Sequence, residues 1–265
     1  MTNAPRALTS FTESVLGRTG LRVGRLGLGA SYGVPAAAVE RAFERGVNYF
    51  YWGSLRRLSF ARAIRNLASR RDRMVITLQS FSRVAGLVGW SVEHALRRLR
   101  LDYADVLLLG LWNRPVTPRV LDAARALRDR GLVRRLALST HQRPLVPQLA
   151  AEFDIFHVRY NAVHPGAERD IFPHLAGETR PGIVGFTATC WKQLLSPRRV
   201  PRGERIPTAA DCYRFVLSHP AVDICLTGPS NSAHMDQALA ALALGPMSAE
   251  ELEWMRRVGR AIRDR

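Results

Sequence analysis

The feature that most constrains this chain is an alternation that runs eight times along it: a short apolar run of strand type, then a stretch with apolar residues at helical spacing. The strand-like runs fall at 25–30, 48–52, 74–79, 105–111, 133–139, 155–160, 182–187 and 222–227. Helical spacing is read at 36–45, 60–68, 92–101, 118–129, 145–152, 168–175, 209–217 and 234–244. Eight such pairs within 265 residues predict an α/β protein, a closed (β/α)8 TIM barrel, because a barrel of this kind needs about 250 residues. A β-hairpin turning at Thr19–Gly20 precedes the first strand. An extra C-terminal helix over 249–262 opens with Ser248 and Glu251 at capping-box spacing. The expected organisation is a loose tail over 1–14 and one barrel domain over 15–265, without a linker or low-complexity tract.

Composition narrows the function classes. With 47% hydrophobic and 23% charged residues the chain has material for a large core. Its longest apolar run, 106–112, is far below the roughly 20 residues a bilayer requires. The first residues lack the apolar stretch of a secretory signal. A cytoplasmic protein without a membrane partner is expected, as a monomer or weak homodimer. Cys190, Cys212 and Cys225 are widely spaced and odd in number, which suits neither a disulfide framework nor a metal cluster. The formal charge of +17 raises the question of nucleic acid. Lys192 is nevertheless the sole lysine among 39 basic residues, and the arginines are spread over helix faces such as Arg41/Arg45, Arg62/Arg65 and Arg125/Arg128. Solvated helix faces account for that pattern, so a small-molecule substrate is expected and nucleic acid is not. An acidic ligand stays open.

In a barrel, chemistry sits at the C-terminal ends of the strands, and strand alternation selects the side chains that face the lumen. The inward candidates are Thr77 and Gln79 on the third strand, Ala137, Ser139 and His141 on the fifth, and His157, Arg159 and Asn161 on the sixth. Trp112 and Trp191 are candidates for the rim, as are Tyr160–Asn161 and His164–Pro165–Gly166.

Several segments resemble one family in order and spacing. Leu16-Gly17-Arg18-Thr19-Gly20-Leu21-Arg22-Val23, followed by Leu26-Gly27-Leu28-Gly29, looks like the opening of the aldo-keto reductases. Arg45-Gly46-Val47-Asn48-Tyr49-Phe50, Leu99 to Asp105, Gly131-Leu132-Val133-Arg134 leading to Ser139, Tyr160-Asn161 and Gly228-Pro229-Ser230-Asn231 resemble later landmarks. The resemblance runs from Val15 to the C-terminus. It implies a barrel that binds NADP(H) across its strand ends and transfers a hydride to a carbonyl, with an Asp, a Tyr, a Lys and a His at the reacting centre.

The sequence departs from that pattern at all four catalytic positions. They fall on Tyr51, Arg56, Gln79 and Gly110. No Asp lies within 48–57, no Lys within 74–83 and no His within 105–115. Cofactor landmarks are kept in part. Ser139 matches the carboxamide serine, Thr140 and His157 replace an Asn and a Gln, and Phe186, followed by Thr187, matches the ring that stacks on nicotinamide. Gly228, Ser230 and Asn231 match the adenosine-phosphate segment, where His234 and Gln237 replace charged residues. For catalysis the candidates are Tyr51 as proton donor, Arg56 as the cation beside it, and His141 as an acid or base. No metal site is expected. Three functions stay open at this point: an NADP(H)-dependent oxidoreductase with a non-standard proton donor, a non-redox lyase or isomerase, and a catalytically silent ligand-binding barrel.

Overall fold

The computed structural model describes residues 10–53, 58–175, 177 and 179–264. Eight parallel strands close into a barrel: β3 (Leu26–Gly29), β4 (Tyr49–Trp52), β5 (Val75–Ser80), β6 (Ala104–Leu109), β7 (Val133–Thr140), β8 (Ile155–Arg159), β9 (Gly182–Phe186) and β10 (Ile224–Thr227). β10 pairs with β3 at Cys225–Leu26 and completes the ring. The preceding hairpin, β1 (Glu13–Val15) and β2 (Arg22–Gly24), is antiparallel and caps the N-terminal end. Leu16, fully buried, projects from its turn into the base of the lumen. Gly17 makes this possible, with φ +47°, because a Cβ there would run into the Gly182 backbone.

The outer helices are α1 (Ala36–Glu44), α2 (Leu58–Asn66), α3 (Ala85–Leu99), α4 (Pro118–Asp129), α5 (Leu145–Gln148), α6 (Ala167–Asp170), α7 (Ala209–Leu217) and α8 (Ser232–Leu244). A further helix, α9 (Ala249–Arg263), packs across the loop after β8, where a Cβ on Gly259 would strike the Ala162 carbonyl. Its capping box is complete: Ser248 Oγ accepts from Glu251 N–H and Glu251 Oε2 accepts from Ser248 N–H. Three expectations need correction. α3 begins seven residues before the predicted 92, because Ala85–Ser91 is carried over the β5 loop by Leu87 and Trp90, which face outward. α5 ends at Gln148, and the stretch predicted as one helix over 168–175 divides at Ile171, whose φ −127° and ψ −62° break the turn before Pro173.

Alternation along the strands produces two cores. Inside, Tyr49, Val75, Val106, Ala137, Ile155, Val184 and Ile224 fill the lower lumen. Outside, Phe50, Ile76, Leu107, Leu138, Phe156 and Ile183 meet the helices. The lower lumen is thus closed by packing, and free volume is left to the upper end. All three cysteines are buried and reduced. Among the described residues, no helix is long and apolar enough to cross a membrane.

Candidate active site

Above the packed layer lies a cavity of about 420 Å³ at the C-terminal ends of the strands. Every strand contributes an inward residue to it: Gly29, Tyr51, Gln79, Leu108, Ser139, His157, Phe186 and Leu226. Tyr32, Phe81, Leu111, Thr187, Trp191, Lys192 and Gly228, beyond the strand ends, form the rim, with Thr227 at the end of β10.

Tyr51 reaches the cavity from β4, with its ring centroid 5.8 Å from that of His157. Its phenol end occupies the place a Cβ on residue 53 would take, which explains the glycine there. Arg56 lies outside the described residues. His157 is buried, and its Nε2 shares a hydrogen bond of 2.8 Å with the buried Tyr49 hydroxyl. Burial without a counter-charge pulls the imidazole down to about 3. The ring is therefore neutral, and the same burial pushes the Tyr49 phenol well up.

Gln79 and Gly110, at the ends of β5 and β6, are neighbours. A Cβ on Gly110 would collide with Gln79 Nε2 and approach Phe81. The missing side chain at position 110 leaves the space that Gln79 fills. Gln79 Oε1 is buried without a hydrogen-bond partner among the described residues.

Ser139 from β7 and Phe186 from β9 both line the cavity. Thr140 turns away, its Oγ1 accepting from Gln142 N–H at 2.9 Å. His141 stands behind Phe186, ring centroids 6.1 Å apart, outside the cavity lining. Burial, and then the charge of Arg159, lowers its basicity, and its Nδ1 is buried without a partner among the described residues. Ser230, Asn231, His234 and Gln237 are exposed on the first turns of α8. Asn231 Oδ1 caps the helix by accepting from His234 N–H, and Ser230 Oγ lies 2.9 Å from His234 Nδ1.

Asn161, expected to face the lumen, is instead a buried structural hub. Its Nδ2 donates to the Thr187 carbonyl at 2.8 Å, and its Oδ1 accepts from the Val163 and His164 amides. Trp112 is likewise buried outside the cavity, under the Arg83 guanidinium at 4.0 Å. Arg83 donates to the carbonyls of Phe81, Gly110 and Leu111 and so fixes the rim over β5 and β6.

Lys192 also lines this site. The loop after β9 brings it there through left-handed residues: Thr187, Cys190, Trp191 and Lys192 have φ of 58°, 48°, 51° and 68°. Such backbone costs about 1–2 kcal/mol per L-residue. It is held by Asn161 and by Cys190 N–H donating to the Thr187 carbonyl at 2.8 Å. No glycine or asparagine marks this turn, so its path left no local signal. Tyr32 and Tyr213 also escaped notice, the former an exposed ring lying where a Cβ on Gly228 would be.

No family model matches the chain. L-galactose dehydrogenase of Arabidopsis thaliana is 33% identical to it over 121 residues, which cover 38% of each protein. The match thus spans well under half the length of that relative. Aldo-keto reductase AKR11C1 from Bacillus halodurans superposes with a TM-score of 0.76 over 95% of this chain and 99% of that one, at 19% identity. An aldo-keto reductase from Klebsiella pneumoniae, solved in complex with NADPH, gives a TM-score of 0.77 over 94% and 95%, at 20% identity. From its closed barrel, its capping hairpin and these likenesses over nearly its whole length, the chain has the aldo-keto reductase fold.

Proposed function

We propose that the chain is an NADP(H)-dependent oxidoreductase that reduces a carbonyl compound at the barrel mouth, with Tyr51 as proton donor. The observation that carries this reading is the ring of eight inward residues, in which Tyr51, Ser139 and Phe186 surround one cavity. The relative solved with NADPH supports the cofactor.

The residues present fit the nicotinamide end of such a cofactor. Ser139 Oγ is an uncommitted hydroxyl for the carboxamide, and Phe186 offers a ring face. Ser230 and the uncapped N–H groups opening α8 suit an anionic phosphate, with neutral His234 and Gln237 in place of stronger charges. When bound, NADPH supplies the hydride. The chain's own part is to orient the carbonyl and to deliver a proton to its oxygen. Tyr51 lines the cavity, and water at the open mouth returns its proton. A phenol with a pKa of about 10 needs a nearby cation to serve at neutral pH. Arg56, five residues on, and Lys192, whose side chain lines the same cavity, are the groups assigned that task. Gln79 replaces a charge with an amide that orients the substrate oxygen. His157, neutral and bonded to Tyr49, forms the floor.

The test is carbonyl-dependent oxidation of NADPH by the wild type and by Tyr51→Phe. Loss of a general acid lowers turnover by about 10²–10⁴, while NADPH affinity is retained. Equal turnover in the two proteins rules Tyr51 out as the donor.

A further inference from the structure

A second cleft, of about 520 Å³, opens beside the mouth between the ends of β4 and β5 and the outer face of α3. The two spaces adjoin, since Gln79 and Phe81 line both. Along α3 the cleft is formed by Leu87, Trp90, Ser91, His94, Ala95 and Arg98, a spacing that places them on one helix face. Phe81, Leu87 and Trp90 expose 54%, 53% and 57% of their surfaces, an unusual concentration of apolar area on one short wall. Trp90 is stacked on His94 at 5.1 Å, which sets a flat wall. The far end is polar. The Arg98 guanidinium makes no hydrogen bond or ion pair among the described residues, and no carboxylate lines the cleft. Of the acids near Arg98 in sequence, Asp102 lies beyond the end of α3, and Glu93 is paired with Arg130 at 2.9 Å.

We infer that this cleft receives the elongated apolar part of the substrate, with Arg98 binding an anionic end. The substrate class is then an amphipathic oxo-acid, with its carbonyl in the mouth, an alkyl or aryl body against Phe81, Leu87 and Trp90, and a carboxylate at Arg98. Leu87 and Arg98 are separated by about 16 Å along the helix, the reach of a medium-length acyl chain. A bare guanidinium in a partly apolar site binds a carboxylate through charge-assisted hydrogen bonds. The placing of the carbonyl rests on the reductase reading, whereas the affinity of the cleft for the tail does not.

The test is calorimetric titration of the full chain with decanoate, and with decan-1-ol as the uncharged control, in the wild type, Trp90→Ala and Arg98→Met. The expected result is saturable decanoate binding, weakened about tenfold by either substitution, with decanol weaker and indifferent to Arg98→Met. In a reductase assay, long ω-carboxy aldehydes lose kcat/KM in both variants and short aldehydes keep theirs. Absent decanoate binding, or affinities unchanged in both variants, overturns the inference. So does a dimer in sedimentation that Trp90→Ala dissolves, which would make the cleft a contact between copies. Decanoate binding without turnover of any aldehyde leaves the cleft in place and refutes the reductase reading alone.

Discussion

At the scale of single residues, the lumen sorts its polar groups by burial. His157 sits one layer below Tyr51, bonded to a phenol and facing no carboxylate, and burial holds its imidazole at about 3. An unfolded chain protonates the same ring near pH 6.5. The unfolded state therefore binds more protons between these values, so the contribution of His157 is complete above about pH 6.5 and is lost as pH falls towards 3. Between about pH 6.5 and pH 5 this one group costs about 2 kcal/mol. His141, His164 and His219 are shifted in the same direction by their own burial. Thermal melts at fixed ionic strength should show Tm falling with acidification in the wild type, with a shallower slope in His157→Gln. Parallel slopes would mean that His157 takes up its proton in the folded state. That His157 faces the lumen was legible in the sequence, because it lies on a strand with clear alternation. Its bond to Tyr49 was not, since the two are 108 positions apart and meet only through barrel closure.

At the scale of elements, the strands were read closely and the loops were not. Apolar alternation has a direct physical cause in the two-sided burial of each strand, and all eight appear within a residue or two of their expected ends. The loop after β9 follows no such rule. Its left-handed run at Cys190–Lys192 carries L-residues where glycine would be relaxed, and it is held by the tertiary bond from Asn161 together with bonds inside the loop. This strain keeps Trp191 and Lys192 on the rim. Lys192→Gly should therefore raise stability by up to about 1 kcal/mol, while turnover falls at least about tenfold through loss of the ammonium. Lys192→Ala should lose turnover without the stability gain. A denaturant melt read beside the reductase assay separates the two effects. If both variants keep full turnover, Lys192 takes no part in tuning the proton donor. The β5 and β6 ends show the same coupling of parts. Gln79 fills the space that a side chain at position 110 would need, so the two positions form one packed unit.

At the scale of the whole molecule, one barrel carries a packed lower lumen and an open mouth. The +17 charge is distributed over arginines that cover the outer helices, many of them paired with acids, as in Arg125 with Glu152 and Arg214 with Glu251. The central claim concerns the mouth: that it holds a nicotinamide cofactor. Titration of the purified protein with NADPH, followed by calorimetry in the wild type and in Phe186→Ala, tests this most directly. Saturable binding in the micromolar range, lost or strongly weakened in Phe186→Ala, is the predicted result. Failure of the wild type to bind either NADPH or NADH would contradict it.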